Sequence, residues 1–251
     1  MRLLLVVATL LAAGPAIAET QLISDISQSR IDIEYSFAGA NLLVFGAVQY
    51  PGGRTPGDAP EIAIVVRGPA EPITVRRKAR IAGIWLNTAK VRYESAPGFY
   101  AVASSAPVRD MLDETTAAIY EIGLDHLQLS PASTNAPDDV QAFEAGLLAS
   151  RKRTGLYAEN SRGVSIVANT LYSARIAIPS AVPVGDYDAQ IFLIRQGRVI
   201  ATTNRRIMIG KSGFERAVYV AAQDHSLAYG LTAVMVALLA GWGAGQFNRR
   251  N

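Results

Sequence analysis

The sequence contains no cysteine, and it has only two histidines among its 251 residues. Without cysteine the chain has no disulfide bonds, no thiol nucleophile and no thiolate ligands for a metal ion. A domain of this size must therefore be stabilised by its own hydrophobic core. These absences exclude disulfide-stapled secreted scaffolds, cysteine enzymes and zinc sites built from thiolates.

The sequence also lacks a strong excess of positive or negative charge once the basic residues of the two terminal segments are set aside. The chain has 24 Lys and Arg against 21 Asp and Glu, with a pI near 9.2. Three of the basic residues, Arg2, Arg249 and Arg250, lie in the terminal segments, and the remainder has equal numbers of both signs. A nucleic-acid-binding function loses its main support, because that function requires a clear positive excess.

The amino-terminal segment has the pattern of a signal peptide. Arg2 provides the positive start, residues 3–13 are apolar, and Ala16-Ile17-Ala18 is a small-residue cleavage site. The sequence therefore predicts a signal peptide over 1–18 and export of the residues that follow. An uncleaved signal anchor is the alternative, and both place residues 19–226 outside the cytoplasm.

The carboxyl-terminal segment has no charged residue from Leu227 to Phe247. A helix of this length is about 30 Å long, which matches the hydrocarbon thickness of a bilayer. The sequence therefore predicts a juxtamembrane segment over 213–226, a transmembrane helix over 227–247 and a cytoplasmic tail over 248–251. A buried helix of a soluble core is the alternative.

Between these segments, residues 19–212 contain alternating strand patterns such as "RIDIEY" and "LYSARIAIP". Residues 107–155 instead have helical spacing, in "DMLDETTAAIYEIG" and "DDVQAFEAGLLASRKR". In "PVGDYDAQIFL", Tyr187 is expected to bond back across the corner that enters a late strand, and Gln196-Gly197 predicts a hairpin turn. The predicted fold class is mainly β: one immunoglobulin-like β-sandwich with an inserted helical pair, plus the C-terminal transmembrane helix. Two separate β modules are the alternative.

Residues that carry chemistry are few. His126 follows Asp125 directly, but a single Asp-His pair is a weak signal, because a metal site needs three or four converging ligands. The sequence has no recognisable nucleophile motif, phosphate loop or zinc motif. We therefore expect no catalytic, cofactor or metal site and no enzyme activity. The alternative is a hydrolase with an unrecognised site at Asp110, Asp113, Glu114 and His126.

Two surface features point to partners instead. A basic segment and an acidic segment form a possible charged docking face, although edge protection and solubility also account for such charges. The residues of this face are Arg76, Arg77, Lys78 and Arg80, and Asp110, Asp113 and Glu114. Small residues at every fourth position of the last segment predict a helix–helix contact, although membrane helices are rich in them anyway. These residues are Ala233, Ala237, Gly241 and Gly245.

The order of "FAGANLLVFGA", a helical pair, "LYSARIAIPSAVPVGDYDAQIFLIRQGRVI", "GKSGFERAVYVAA" and "LAYGLTAVMVALLAGWGAGQF" resembles a family of alphaproteobacterial transmembrane proteins. The resemblance supplies no catalytic residues. It implies an inner-membrane protein with a single span, a periplasmic amino-terminal domain and a cytoplasmic carboxyl terminus. It also implies association with permeases of the sulfite or anion exporter type, beside which such proteins are encoded.

The expected function is an accessory protein that binds the bilayer and another integral membrane protein, or that self-associates. The alternative is a tethered periplasmic module that binds a ligand or takes part in envelope assembly. The hydrolase named above is the third hypothesis.

Overall fold

The structure is a computed structural model that describes residues 20–33, 37–53, 55–132, 137–211, 218 and 222–248. Side chains are described for these residues except at 137–139 and 243–248. The predicted signal peptide, most of the predicted juxtamembrane segment and residues 249–251 therefore lie outside the described residues.

The described residues form strands in most of the chain before residue 212. The strands are β1 Gln21–Ile26, β2 Arg30–Ile33, β3 Gly39–Gln49, β4 Glu61–Arg67, β5 Ala70–Ile81, β6 Ile84–Pro97, β7 Tyr100–Ser104, β8 Ser130–Pro131, β9 Tyr157–Asn160, β10 Val164–Val167, β11 Leu171–Pro179, β12 Gly185–Arg195 and β13 Arg198–Lys211. The α-helices are α1 Val108–Met111, α2 Glu114–Ile119, α3 Pro137–Arg153 and α4 Ser226–Asn248. Short 3-10 helices lie at Pro51–Gly53 and Leu124–His126.

The strands form three sheets. One sheet has the order β1-β3-β11-β10, the second β2-β13-β12-β4-β7-β9, and the third β5-β6-β8. Pairing is antiparallel except at the two edges of the second sheet, where β2 runs parallel to β13 and β9 parallel to β7. Strand β4 lies inside the second sheet, which explains why "EIAIVVR" is apolar at nearly every position.

The two larger sheets share one hydrophobic core. Alternate residues of β11 are buried against it, and these are Tyr172, Ala174, Ile176 and Ile178. The core also takes buried residues from β3, β4, β7, β12 and β13. The third sheet has a separate, smaller core with α3, formed by Val91, Tyr93, Ala96, Phe143 and Leu147.

The prediction that the chain is mainly β is therefore confirmed, whereas the predicted architecture is wrong. The described strands form three sheets and two cores, and not one immunoglobulin-like sandwich. The physical reason is that β5 and β6 pair with each other along their whole length, so they leave the second sheet after Arg67. Their apolar side chains are covered by α3 instead of by the opposite sheet.

The predicted helical pair is also wrong in detail, because the first helix is broken. Leu112 is extended, and its bridge to Gly197 ties the chain to the β12–β13 turn. The helix then starts again because the Asp113 carboxylate caps it, accepting the backbone N–H of Thr116 at 2.8 Å. The second helix, α3, is present and buries Phe143 and Leu147.

The predicted transmembrane helix is wrong for the described part of the chain. Among the residues that the structure describes, no helix is both long and apolar enough to cross a membrane. The segment does form a helix, α4, whose side chains are described only as far as Trp242. Large apolar side chains of α4, Leu231 and Leu238 among them, are exposed.

Two local predictions are confirmed. The Tyr187 hydroxyl donates a hydrogen bond of 2.6 Å to the Pro183 carbonyl, across the corner that enters β12. Gln196 and Gly197 both have positive φ and join Arg195 to Arg198 in a two-residue hairpin turn. That geometry requires residues that tolerate the left-handed region, which Gly197 does at no cost.

Candidate functional site

One candidate site is an open cleft of about 790 Å³ beside the first residue of β4. Three chain segments form it: the loop before β4, the segment from α1 to Asp113, and the β12–β13 turn. The lining residues are Pro56, Asp58, Ala59, Pro60, Glu61, Arg109, Asp110, Met111, Leu112, Asp113, Ile194, Arg195, Gln196 and Gly197. We call this the β4 cleft.

The walls of the β4 cleft are held by the fold. Met111 and Leu112, which lie between Asp110 and Asp113 in the sequence, are buried in the main core. They anchor the segment that carries the two carboxylates. The bridge from Leu112 to Gly197 joins this wall to the β12–β13 turn. The Asp113 carboxylate also accepts the Thr116 hydroxyl at 2.7 Å, so its position is fixed by two hydrogen bonds.

The β4 cleft carries more negative than positive charge. Asp58, Glu61, Asp110 and Asp113 line it, against Arg109 and Arg195. The hydrogen bonds from Thr116 lower the pKa of Asp113, so this carboxyl keeps its charge under mildly acidic conditions. Burial raises the pKa of Glu61 because the low-polarity surroundings disfavour its charged form.

Arg195 lines the cleft and also contacts Tyr50, which is not among the lining residues. Its guanidinium lies 5.9 Å from the centre of the Tyr50 ring, a distance suited to a cation–π contact. Arg109 lies near Asp110, with 3.7 Å between its Nε and the Oδ1 of Asp110, but both side chains are well exposed. Such a surface pair contributes little, so Asp110 is accessible to a partner.

The four residues of the hydrolase hypothesis are not brought together. Asp110 and Asp113 line the β4 cleft, whereas Glu114 follows on α2 and is not part of the lining. His126 lines a different pocket of about 290 Å³, with Asp125 and Glu159. There the Glu159 carboxylate accepts the Leu124 backbone N–H at 2.9 Å. In the described ranges no group of three or more acidic, His or Cys residues is placed to hold a metal ion.

The basic residues of the predicted docking face lie elsewhere, on β5. They form part of the outer β5–β6 hairpin, residues 76–90, which we call the arm. The β4 cleft surrounds Glu61, the first residue of β4, whereas β5 begins beyond Arg67, the last residue of β4. Seven residues of strand extend over about 23 Å. The basic residues of the arm are therefore not part of the β4 cleft.

Arg67, the first basic residue of this part of the sequence, has a structural role. Its Nη2 donates to the carbonyl oxygens of Tyr120 at 2.9 Å and Glu121 at 3.1 Å, which follow the last turn of α2. Its Nη1 donates to Gln190 Oε1 at 3.0 Å, on the neighbouring strand. The Tyr100 hydroxyl donates to the same Glu121 carbonyl at 2.6 Å, so the end of α2 is pinned to the second sheet.

The predicted helix–helix contact stays a prediction. Ala233, Ala237 and Gly241 lie on α4, and Gly245 lies beyond the part of this helix whose side-chain surroundings are described. A Cβ placed at Gly241 would meet no atom within 4 Å, so this position is open to a neighbour.

Sequence reasoning missed two features. The β4 cleft combines three segments that are distant along the chain, and no local pattern connects them. The exposed apolar residues at the tip of the arm belong to two strands and are not part of any motif considered above. The signal that was available is "IAGIWL", in which large apolar residues lie on both sides of a turn.

Comparison with known proteins identifies a family. The model of a family described as "Putative transmembrane protein" matches residues 21–250. No curated protein and no solved structure gives a significant match to the chain.

Proposed function

The chain belongs to the family described as "Putative transmembrane protein", and from that membership we propose that it is a membrane-associated accessory protein without enzymatic activity. It is exported to the periplasmic side of a bacterial inner membrane, and it binds a partner membrane protein there. The signal-peptide pattern over 1–18 supports export, and the absence of cysteine is compatible with an oxidising compartment.

The observation that carries this proposal is the β4 cleft, with four carboxylates against two arginines on walls anchored in the core. A rigid, negatively charged cleft favours a positively charged segment of another protein, because complementary charges guide the approach of a partner and fix its orientation. An anion permease, the partner class that the family resemblance implies, is the first candidate.

The proposal is tested by co-purification from membranes in mild detergent, with mass spectrometry of the recovered proteins. The variant Asp58→Asn, Glu61→Gln, Asp110→Asn removes three charges from the cleft and leaves the Asp113 cap intact. We expect the recovery of an integral membrane partner to fall by about tenfold or more, because paired charges at an interface contribute strongly to binding.

The matched control is Glu94→Gln, Asp125→Asn, Asp186→Asn. It removes the same charge from three exposed positions outside the lining of the β4 cleft. This control should recover the partner as the unmodified chain does. Equal recovery with both variants would show that the cleft is not the binding surface.

A second candidate function is binding of a small ligand, one of the alternatives that the sequence left open. The volume of the β4 cleft lies within the range of about 300–1,000 Å³ that small-molecule sites occupy. The same two variants separate the candidates. A ligand-binding module predicts that the cleft variant keeps every protein partner and loses thermal stabilisation by small cationic compounds.

A further inference from the structure

The arm presents unusually exposed apolar side chains at its tip. Ile81, Ile84, Trp85 and Leu86 are exposed by 51%, 65%, 66% and 48%. They flank a two-residue turn, Ala82-Gly83, in which both residues have positive φ. Single exposed apolar residues need no explanation, but four together at the end of a protruding hairpin mark a contact surface.

The two faces of the arm differ sharply in character. Arg76 pairs with Lys90, Lys78 with Asn87 and Arg80 with Trp85. Residues that pair across two antiparallel strands share a face, and so do alternate residues of one strand. The extra residue at the irregularity of the ladder, Thr88, lies on β6, so the alternation along β5 is kept. One face of the arm is therefore basic, with Trp85 at its outer end.

Within the arm, the opposite face is apolar except at Arg77, which pairs with Ala89. Near its base, Ile73, Val75 and Val91 pack in the small core with α3. Helix α3 covers this face as far as Arg77, whose guanidinium lies 5.5 Å from the centre of the Phe143 ring. From Arg77 to Ile81 the strand extends about 13 Å further, at roughly 3.3 Å per residue.

We propose that the arm is a bilayer-binding element whose apolar tip enters the surface of an anionic membrane while its basic face binds lipid phosphates. Elements that lie in a membrane surface bury their apolar side chains by about 5–10 Å, which the uncovered length of the arm exceeds. Trp at this level is typical, because its amphipathic ring favours the headgroup region. Guanidinium and ammonium groups are attracted to anionic lipids within a Debye length.

The position of the arm on the body supports a membrane over a protein partner. Pro69, which precedes β5, lies against Gly185, and Gly185 pairs with Ile209 near the end of β13. The strand that carries the arm, β5, therefore starts at the same end of the second sheet as the last residues of β13, and the exposed apolar helix α4 follows β13 in the sequence. The inference rests on the proposed membrane association, but not on the β4 cleft.

The test uses Trp85 as a reporter in the full chain. Trp85 and Trp242 are the only tryptophans, so Trp242→Phe leaves a single one on the arm. The protein, purified in mild detergent, is diluted into vesicles of phosphatidylcholine alone or with phosphatidylglycerol, and with brominated lipids for quenching. We expect a blue shift and quenching of Trp85 with the anionic vesicles, at a lipid concentration about tenfold or more below that for the neutral ones.

In the same background, Arg76→Gln, Lys78→Gln, Lys90→Gln should remove this difference between the vesicles. Arg80 is left in place, because its Nε donates to the Gly83 carbonyl in the turn. The control Arg175→Gln, Arg198→Gln, Arg206→Gln removes the same charge from exposed positions on the body and should leave the response intact. Circular dichroism confirms that each variant is folded.

Four outcomes would overturn the inference. They are an unchanged Trp85 spectrum with both vesicles, an equal response to both, an equal loss in both triple variants, and a shift that depends on protein concentration without lipid. The last would identify a second copy as the occupant. The cleft variant of the proposed function should respond as the unmodified chain does, so failure of one proposal is distinguishable from failure of the other.

Discussion

Removal of the Tyr187 hydroxyl should destabilise the body of the protein by a measurable amount. The side chain is 0% exposed, and its hydroxyl donates to the Pro183 carbonyl at 2.6 Å. Tyr187→Phe keeps the ring, which lies 5.9 Å from that of Phe99, so only the hydrogen bond is lost. A carbonyl that loses its buried partner costs about 1–3 kcal/mol.

In a domain of this size each kcal/mol lowers the melting temperature by about 2–4 °C, so we expect a decrease of about 2–12 °C. Thermal unfolding of the full chain followed by far-UV circular dichroism measures it. Fluorescence is a poor choice because Trp85 and Trp242 are both well exposed. The control is Tyr120→Phe, at a ring that is 38% exposed and packs edge-on to Phe192. A decrease no larger than that of the control would refute the role of the corner hydrogen bond.

Three further predictions concern the body. Gly46→Ala should lower the free energy of unfolding by about 1–3 kcal/mol, because a Cβ at this position collides with the Ile23 carbonyl and the Tyr172 hydroxyl. The control is Gly57→Ala, where a Cβ would meet no atom within 4 Å. Chemical denaturation of the two variants measures the difference. Arg67→Met should destabilise by about 2–3 kcal/mol and raise amide exchange at the end of α2, whereas unchanged exchange would contradict the capping role. Burial raises the pKa of Tyr157 to about 12, against about 10 in the unfolded chain. The contribution of this residue to the free energy of unfolding should therefore be constant below pH 10 and fall above it by roughly 1.4 kcal/mol per pH unit. A flat profile up to pH 12 would contradict this prediction.

The features that the sequence predicts well are those decided over a few residues. The alternation in "LYSARIAIP" predicts which side chains of β11 are buried, because a strand turns successive residues to opposite faces. The corner at Tyr187 and the turn at Gln196-Gly197 follow from residue types at fixed offsets. Each of these depends on local geometry alone.

The features that the sequence predicts badly depend on distant partners. Alternation in β5 and β6 indicates that one face is buried, but not that α3 covers it in place of the opposite sheet. The spacing around Leu112 fits a continuous helix, yet a bridge to Gly197, far along the chain, holds it extended. The β4 cleft requires the loop before β4, the start of the helical region and the β12–β13 turn at once. The hydrophobic periodicity of a segment does not indicate which distant segments it contacts.

The existence of two separate cores has a consequence for how the molecule tolerates change. The small core of β5, β6 and α3 contains five buried residues, whereas the main core contains most of the others. Cooperative opening follows the contiguity of such clusters, so the smaller unit can unfold and refold while the rest stays native. We therefore expect a mutation in the small core to loosen this unit while the body stays folded.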